Sequence, residues 1–242
     1  MSLSNIRIVM VETTHPGNIG ATARAMKTMG LANLVLVNPK IFPSAEATAM
    51  AAGADDILAN AKEYAVLADA VSNCTLVAGT SARNRSIPWP IMTPRESATH
   101  IVSTSQSSDV ALVFGRESSG LTNEELEYCN LVIQVPTRKD FSSLNIAAAI
   151  QIICYELLLA ETGIAETIPA DSDLEFATRN EMEKFFQHLE QSMIMTGFYN
   201  PQKPRKLMHR MKRLFNRAQP DQNEINMLRG LLAAIDKLND KN

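Results

Sequence analysis

Five short apolar runs constrain this 242-residue chain more than any other feature: residues 6–12, 33–37, 75–79, 109–114 and 131–135. Each is rich in Val, Ile or Leu and is bounded by polar, Gly or Pro residues. Continuous apolar runs of this length read as strands buried on both faces, the habit of parallel sheets. Segments of helical spacing separate them, at 18–29, 45–52, 94–104, 123–128 and the long 144–159. The first two stop at Gly30 and Gly53, where glycine enters the left-handed conformation without a Cβ clash. Strands alternating with helices predict an α/β domain with a mainly parallel sheet and helices on both faces.

The alternation ends after Ala160, in a stretch holding Gly163, Pro169 and small polar residues but little apolar periodicity. Beyond it, 174–196, 205–218 and 224–238 have helical spacing and are divided by Gly197, Pro201, Pro204 and Pro220. The expected organisation is therefore a domain over 1–162, a linker over 163–173 and a small all-helical extension over 174–242.

At 45% hydrophobic and 20% charged residues, the chain excludes a disordered reading. Cys74, Cys129 and Cys154 are too scattered for a CxxC unit, and no His/Cys cluster accompanies them, so neither a zinc site nor a disulfide framework is expected. The start of the chain lacks the features of a signal peptide, and the longest apolar run, 146–160, is interrupted by Gln151 and Glu156. A cytoplasmic protein is expected.

The net charge of −3 hides a change of sign along the chain. Residues 1–170 hold 11 basic and 16 acidic side chains, whereas 171–242 hold 12 basic and 10 acidic. Most of the second set lies in one stretch free of acids, with Lys203, Arg205, Lys206, Arg210, Lys212, Arg213 and Arg217. Lys206, Arg210, Arg213 and Arg217 recur at helical spacing, with Leu207, Met211 and Leu214 expected to face the module's core. A solvated basic face accounts for the charge alone, but an acidic first domain needs a separate cationic surface to hold a polyanion.

Neither a GxGxxG turn nor a GxxxxGK[ST] loop is present, so the usual nucleotide-binding readings lack their phosphate-cradling glycines. Three polar clusters stand instead at the carboxyl ends of expected strands. The first is Pro16-Gly17-Asn18-Ile19-Gly20 with Arg24 one turn on; its plain alternative is a strand-to-helix connection with an Asn cap. The second, Phe114-Gly115-Arg116-Glu117-Ser118-Ser119-Gly120-Leu121, reads as backbone that approaches a ligand closely or as a turn with a solvated ion pair. In the third, Ser142-Ser143-Leu144-Asn145, either serine could cap the helix that follows, and Ala147, Ala148 and Ala149 permit close packing.

Together the clusters resemble, in order, the motifs N-x-G-x-x-x-R, F-G-x-E-x-x-G-L and S-L-N of the ribose-methylating branch of the SPOUT methyltransferases. The resemblance covers residues 6–160, and the segment 8–30, the Gly79-Thr80-Ser81-Ala82-Arg83 loop and the helical extension are similar to the TrmJ-type tRNA enzymes. The chain departs after Pro136, where many relatives carry Met and Gly and this one has Thr137, Arg138 and Lys139.

The resemblance implies a C-terminal trefoil knot in the first domain, a homodimer, and S-adenosyl-L-methionine held by Thr80, Ser81, Ala82, Gly115, Val135, Ser142, Ser143 and Leu144. It implies methylation of a cytidine or uridine ribose at position 32 of the tRNA anticodon loop, without a metal. Arg24 and Ser143 are the expected catalytic residues, supported by Asn18, Glu117 and Asn145. A guanidinium with a pKa above about 12 is a poor base, so Arg24 is assigned to the developing alkoxide and the neighbouring phosphate. Lys203, Arg205, Lys206, Arg210, Arg213 and Arg217 are expected to bind tRNA. Two other readings are a non-catalytic knotted RNA-binding protein, disfavoured by the joint presence of Arg24, Glu117 and Asn145, and a methyltransferase for another tRNA or rRNA site.

Overall fold

The computed structural model describes residues 2–81, 90–138, 140, 143–163 and 175–239. The chain divides into two compact units, Met1–Ala170 and Asp171–Asn242.

In the first unit seven strands form one sheet: β1 (Ile6–Val11), β2 (Asn33–Val37), β3 (Lys62–Tyr64), β4 (Leu76–Thr80), β5 (Ile91–Met92), β6 (Val110–Phe114) and β7 (Leu131–Ile133). Their order is β3-β2-β1-β6-β4-β7-β5, and every pairing is parallel. The five strands expected from apolar runs are all present. The two further ones are edges: Lys62-Glu63-Tyr64 is largely exposed and β5 is two residues long, so neither carries an apolar signal.

A doubly wound sheet adds strands outward from its centre. Here β6 lies instead between β1 and β4, and β7 between β4 and β5, so late strands are inserted among earlier ones.

The strand pleat sorts residues by size. Ile6, Ile8, Met10, Leu34, Leu36, Leu76, Leu112 and Phe114 face one side, with α1 (Pro16–Thr28), α2 (Ala45–Ala51), α3 (Asp55–Ala59), α5 (Pro94–Ser105) and α7 (Ile146–Thr162). Val9, Val35, Val77, Ala111 and Val113 face the other, covered by the short α4 (Leu67–Val71) and α6 (Asn123–Leu126).

The helix starts differ from expectation. α1 begins at Pro16 after His15, which makes no side-chain cap bond, and Asn18 lies within the first turn. Proline suits that position because its missing N–H would be unpaired there anyway. α7 is capped not by a serine but by Asn145, whose side-chain oxygen accepts from the Ala147 and Ala148 amides.

The second unit holds α8 (Arg179–Met195), α9 (Leu207–Ala218) and α10 (Gln222–Asn239) around Phe185, Phe186, Leu189, Phe215 and Leu232. Phe185 meets Phe215 edge to face at 4.8 Å between centroids. A capping box between Thr178 and Glu181 starts α8. Among the described residues this unit has no strand, and a single bridge joins Phe176 to Asp221. Leu214, expected to face the core, is exposed; Leu207, Met208, Met211 and Phe215 make the apolar contacts of α9. Among the described residues no helix is long and apolar enough to cross a membrane.

Candidate active site

A cleft opens at the carboxyl ends of β4, β6 and β7 and the start of α7, the end of a parallel sheet where α/β proteins bind ligands. Thr80, Ser81, Gly115, Val135, Ser143 and Leu144 all line it, so the structure brings six of the eight expected cofactor residues together. Ala82 and Ser142, with Arg83, lie outside the described residues. Ile133 at the end of β7 and Ile146, Ala149 and Ile153 on α7 complete apolar walls; sequence reading missed the three isoleucines, since a core isoleucine and a cleft isoleucine look alike.

The two glycines of the second motif serve the chain itself. A Cβ on Gly115 would lie 2.2 Å from the Gly120 carbonyl carbon and the Leu121 nitrogen, because Arg116 and Gly120 exchange two backbone hydrogen bonds across a tight loop. Close approach to a ligand is thus not what requires glycine at 115. Gly20 of the first motif is likewise a packing residue, since a Cβ there would meet the Ala47 carbonyl oxygen of α2 at 2.0 Å.

Arg116 and Glu117 do not form the solvated pair that their adjacency suggests. Arg116 reaches Glu12 at the end of β1 (2.8 Å) and Glu125 of α6 (3.0 Å), and these carboxylates raise its pKa further. Glu117 turns the other way: it accepts from the Asn18 side chain (3.0 Å), the Thr14 hydroxyl (3.0 Å) and the Thr14 amide (3.2 Å). Partial burial pushes its pKa up, but the hydrogen bonds from Asn18, its own backbone and Thr14 outweigh this and hold it below 4.5, so it stays anionic at neutral pH.

Asn145 continues the chain, donating to the Asn18 side-chain oxygen at 2.9 Å while its own oxygen caps α7. One relay, Glu117–Asn18–Asn145, therefore ties the three motifs together, and each asparagine amide is oriented by partners on both its oxygen and its nitrogen. This trio was expected to buttress Arg24 and the loops; among the described residues its hydrogen bonds go to Thr14, His15 and the α7 amides. Arg24 is exposed on α1 and forms no ion pair with a described carboxylate. Ser143 is exposed at the cleft's edge.

The donor set decides what the cleft accepts. Arg116 is the one cation among the described lining residues, and it is engaged by two carboxylates. Among the described residues, a nucleoside polyphosphate would find no unpaired positive charge in the cleft. A flat base between aliphatic walls, with hydroxyl-bearing serines and threonine nearby and an anionic Glu117, suits an adenosine bearing a positive sulfonium, and the residues fit S-adenosylmethionine on these grounds.

In the second unit, Lys203, Arg205, Lys206, Arg210 and Arg217 are exposed and Arg213 is half-buried. Lys206 immediately precedes α9, and Arg210, Arg213 and Arg217 follow on it at intervals that keep them on one face. Arg179, by contrast, is buried, donates to Asn216 at 2.8 Å and lies over the Phe186 ring, which makes it a structural cation.

Comparison with known proteins matches each unit separately. A model of the SpoU rRNA methylase family covers residues 5–155, and one of the tRNA methyltransferase TrmJ C-terminal domain covers 180–242. The tRNA (cytidine/uridine-2'-O-)-methyltransferase TrmJ of Klebsiella pneumoniae is 47% identical over 240 residues, 98% of either chain. The crystal structure of TrmJ from Z. mobilis ZM4 superimposes with a TM-score of 0.82 at 31% identity, over 95% of this chain and 98% of that one. The SpoU methyltransferase AviRb from Streptomyces viridochromogenes, solved with its cofactor AdoMet, shares the fold at 19% identity and a TM-score of 0.52, over 64% of this chain and 60% of its own. The chain belongs to the SpoU methylase family, and its second unit is a TrmJ-type C-terminal domain.

Proposed function

We propose that the protein transfers a methyl group from S-adenosylmethionine to the ribose 2′-hydroxyl of a cytidine or uridine in tRNA, at position 32 of the anticodon loop, and does so in the cytoplasm as a homodimer. The observation that carries this reading is the cleft itself: apolar walls, no unpaired cation among the described lining residues, and Thr80, Ser81, Gly115, Val135, Ser143 and Leu144 around one space beside the Glu117–Asn18–Asn145 relay. Ala82 and Ser142 are proposed to complete the cofactor site.

When bound, S-adenosylmethionine supplies an activated methyl on a sulfonium, so the protein's task is to orient a weak nucleophile and ease its loss of a proton. Ser143, on the rim, is placed to hydrogen-bond the incoming hydroxyl. Arg24 is exposed and has no carboxylate to neutralise it among the described residues, so it can stabilise the developing alkoxide and grip the adjacent phosphate. The proton leaves to that phosphate or to water. Asn18, Glu117 and Asn145 act as positioning residues for the loops that bear the cleft.

The dimer reading rests on α7. Its inner face, Ile146, Ile150, Ile153 and Leu157, is in the core, whereas Ile152, Tyr155 and Leu159 recur on the outer face and are exposed. A helix apolar on both faces calls for a second partner, and this one also lines the cleft through Ala149 and Ile153. We assign residues 1–162 to the methyltransferase domain, 163–173 to a linker and 174–242 to a tRNA-binding extension, in which Lys203, Arg205, Lys206, Arg210, Arg213 and Arg217 contact phosphates. Mass spectrometry of tRNA from cells lacking this protein tests the reading: 2′-O-methylated nucleoside at position 32 should disappear, and its retention would refute the assigned position.

A further inference from the structure

The loop joining α8 to α9 borders a second hollow, of about 560 Å³ and open to solvent, lined by residues of the helical unit. Its construction is specific. Gly197, in the left-handed conformation (φ 73°), ends α8, and the Tyr199 amide then donates to the Met193 carbonyl at 2.9 Å. The turn buries Tyr199 and leaves Phe198 67% exposed at the mouth of the hollow. The outward turn leaves the flat apolar ring of Phe198 free at the mouth of the hollow.

The remaining wall is cationic. Lys203, Arg205, Lys206 and Arg210 line it, no Asp or Glu does, and none of the four pairs with a described carboxylate. Arg205 also sits at φ 45°, a left-handed conformation that costs a non-glycine residue energy. Uncompensated like charges beside an exposed ring call for an anionic ligand with a flat apolar part.

We infer that this hollow holds one unstacked nucleotide of an RNA loop, its base against Phe198 and its flanking phosphates on Lys203, Arg205, Lys206 and Arg210. The inference rests on the proposed tRNA substrate and adds to it a stacking subsite remote in sequence from the methylation motifs. A duplex stem offers phosphates but keeps its bases stacked inside, and an acidic peptide needs no flat ring; an unpaired nucleotide uses both halves of the hollow. The volume suits it, since small-ligand pockets span about 300–1,000 Å³.

The test uses the full chain and equilibrium binding to tRNA across salt concentrations. Phe198→Ala should weaken binding about five- to a hundredfold with the salt dependence unchanged, because stacking releases no counterions. Phe198→Trp should restore affinity, and its fluorescence should be quenched by octauridylate beyond any quenching of the parent. Arg210→Ala should both weaken binding and flatten the salt dependence by about 0.7–0.9 in log–log slope. Parent-like affinity of Phe198→Ala beside a weakened Arg210→Ala overturns the stacking site and leaves a phosphate contact. If both variants bind tRNA as the parent does, the hollow is not an RNA site at all. Absence of tRNA binding by the parent would instead refute the proposed substrate.

Discussion

Asn145 shows how much one residue can carry. Its oxygen caps α7 and its nitrogen holds Asn18, which in turn holds Glu117. Asn145→Asp keeps the cap but replaces the donor by an oxygen facing the Asn18 oxygen; we expect a loss of about 1–3 kcal/mol in urea unfolding and weaker cofactor binding. An equally stable variant would mean that the relay is incidental. Glu117 gives the relay a pH signature. A carboxyl held below 4.5 contributes stability that is present above that value and lost as pH falls through the lower, folded value. The stability gap between the parent and Glu117→Gln should therefore be constant near neutrality and narrow below about pH 4.5; a gap that widens in acid would contradict the assignment. Arg24 lies outside the cofactor cleft, so Arg24→Ala should lower kcat/KM about a hundred- to a thousandfold while cofactor affinity stays unchanged.

Among the elements, the loop after β6 is the most constrained. Gly115→Ala would push a methyl group into the Gly120–Leu121 backbone, which no rotamer change relieves, and should cost about 2 kcal/mol or more along with cofactor binding; calorimetry of both would check it. The interior strands were legible because both their faces are buried, so Val9, Leu112 and Val132 announce themselves as apolar whichever side they face. The edge strands β3 and β5 were not, because an exposed Lys-Glu-Tyr or a two-residue pairing is held by its neighbour's hydrogen bonds rather than by burial. The three site motifs could be read, but not their wiring. Arg116 and Glu117 are adjacent in sequence yet face opposite ways, and the partners of each, Glu12 and Glu125 against Thr14 and Asn18, are set by the sheet order. In the second unit helical spacing assigned Leu214 to the core, where Phe215 and Met208 stand, because a helix with both basic and apolar residues allows more than one boundary between its faces.

At the scale of the whole molecule the two units divide the work, since the first carries the cleft and an excess of acidic residues while the second carries the cationic stretch. A chain ending at residue 162 should still bind S-adenosylmethionine but should methylate tRNA far less efficiently than the full chain, with a shallower salt dependence of binding. Tyr155→Glu on the exposed face of α7 should shift sedimentation from dimer to monomer; an unchanged dimer would move the interface elsewhere. The central claim is methyl transfer to a ribose oxygen in tRNA, and chemistry reads it directly. The purified protein is incubated with unmodified tRNA and methyl-labelled S-adenosylmethionine, and the RNA is then hydrolysed in alkali, which cuts only beside a free 2′-hydroxyl. The account predicts one labelled, alkali-resistant dinucleotide beginning with cytidine or uridine. Label recovered in ordinary mononucleotides, and thus on a base, or no transfer at all, would contradict it.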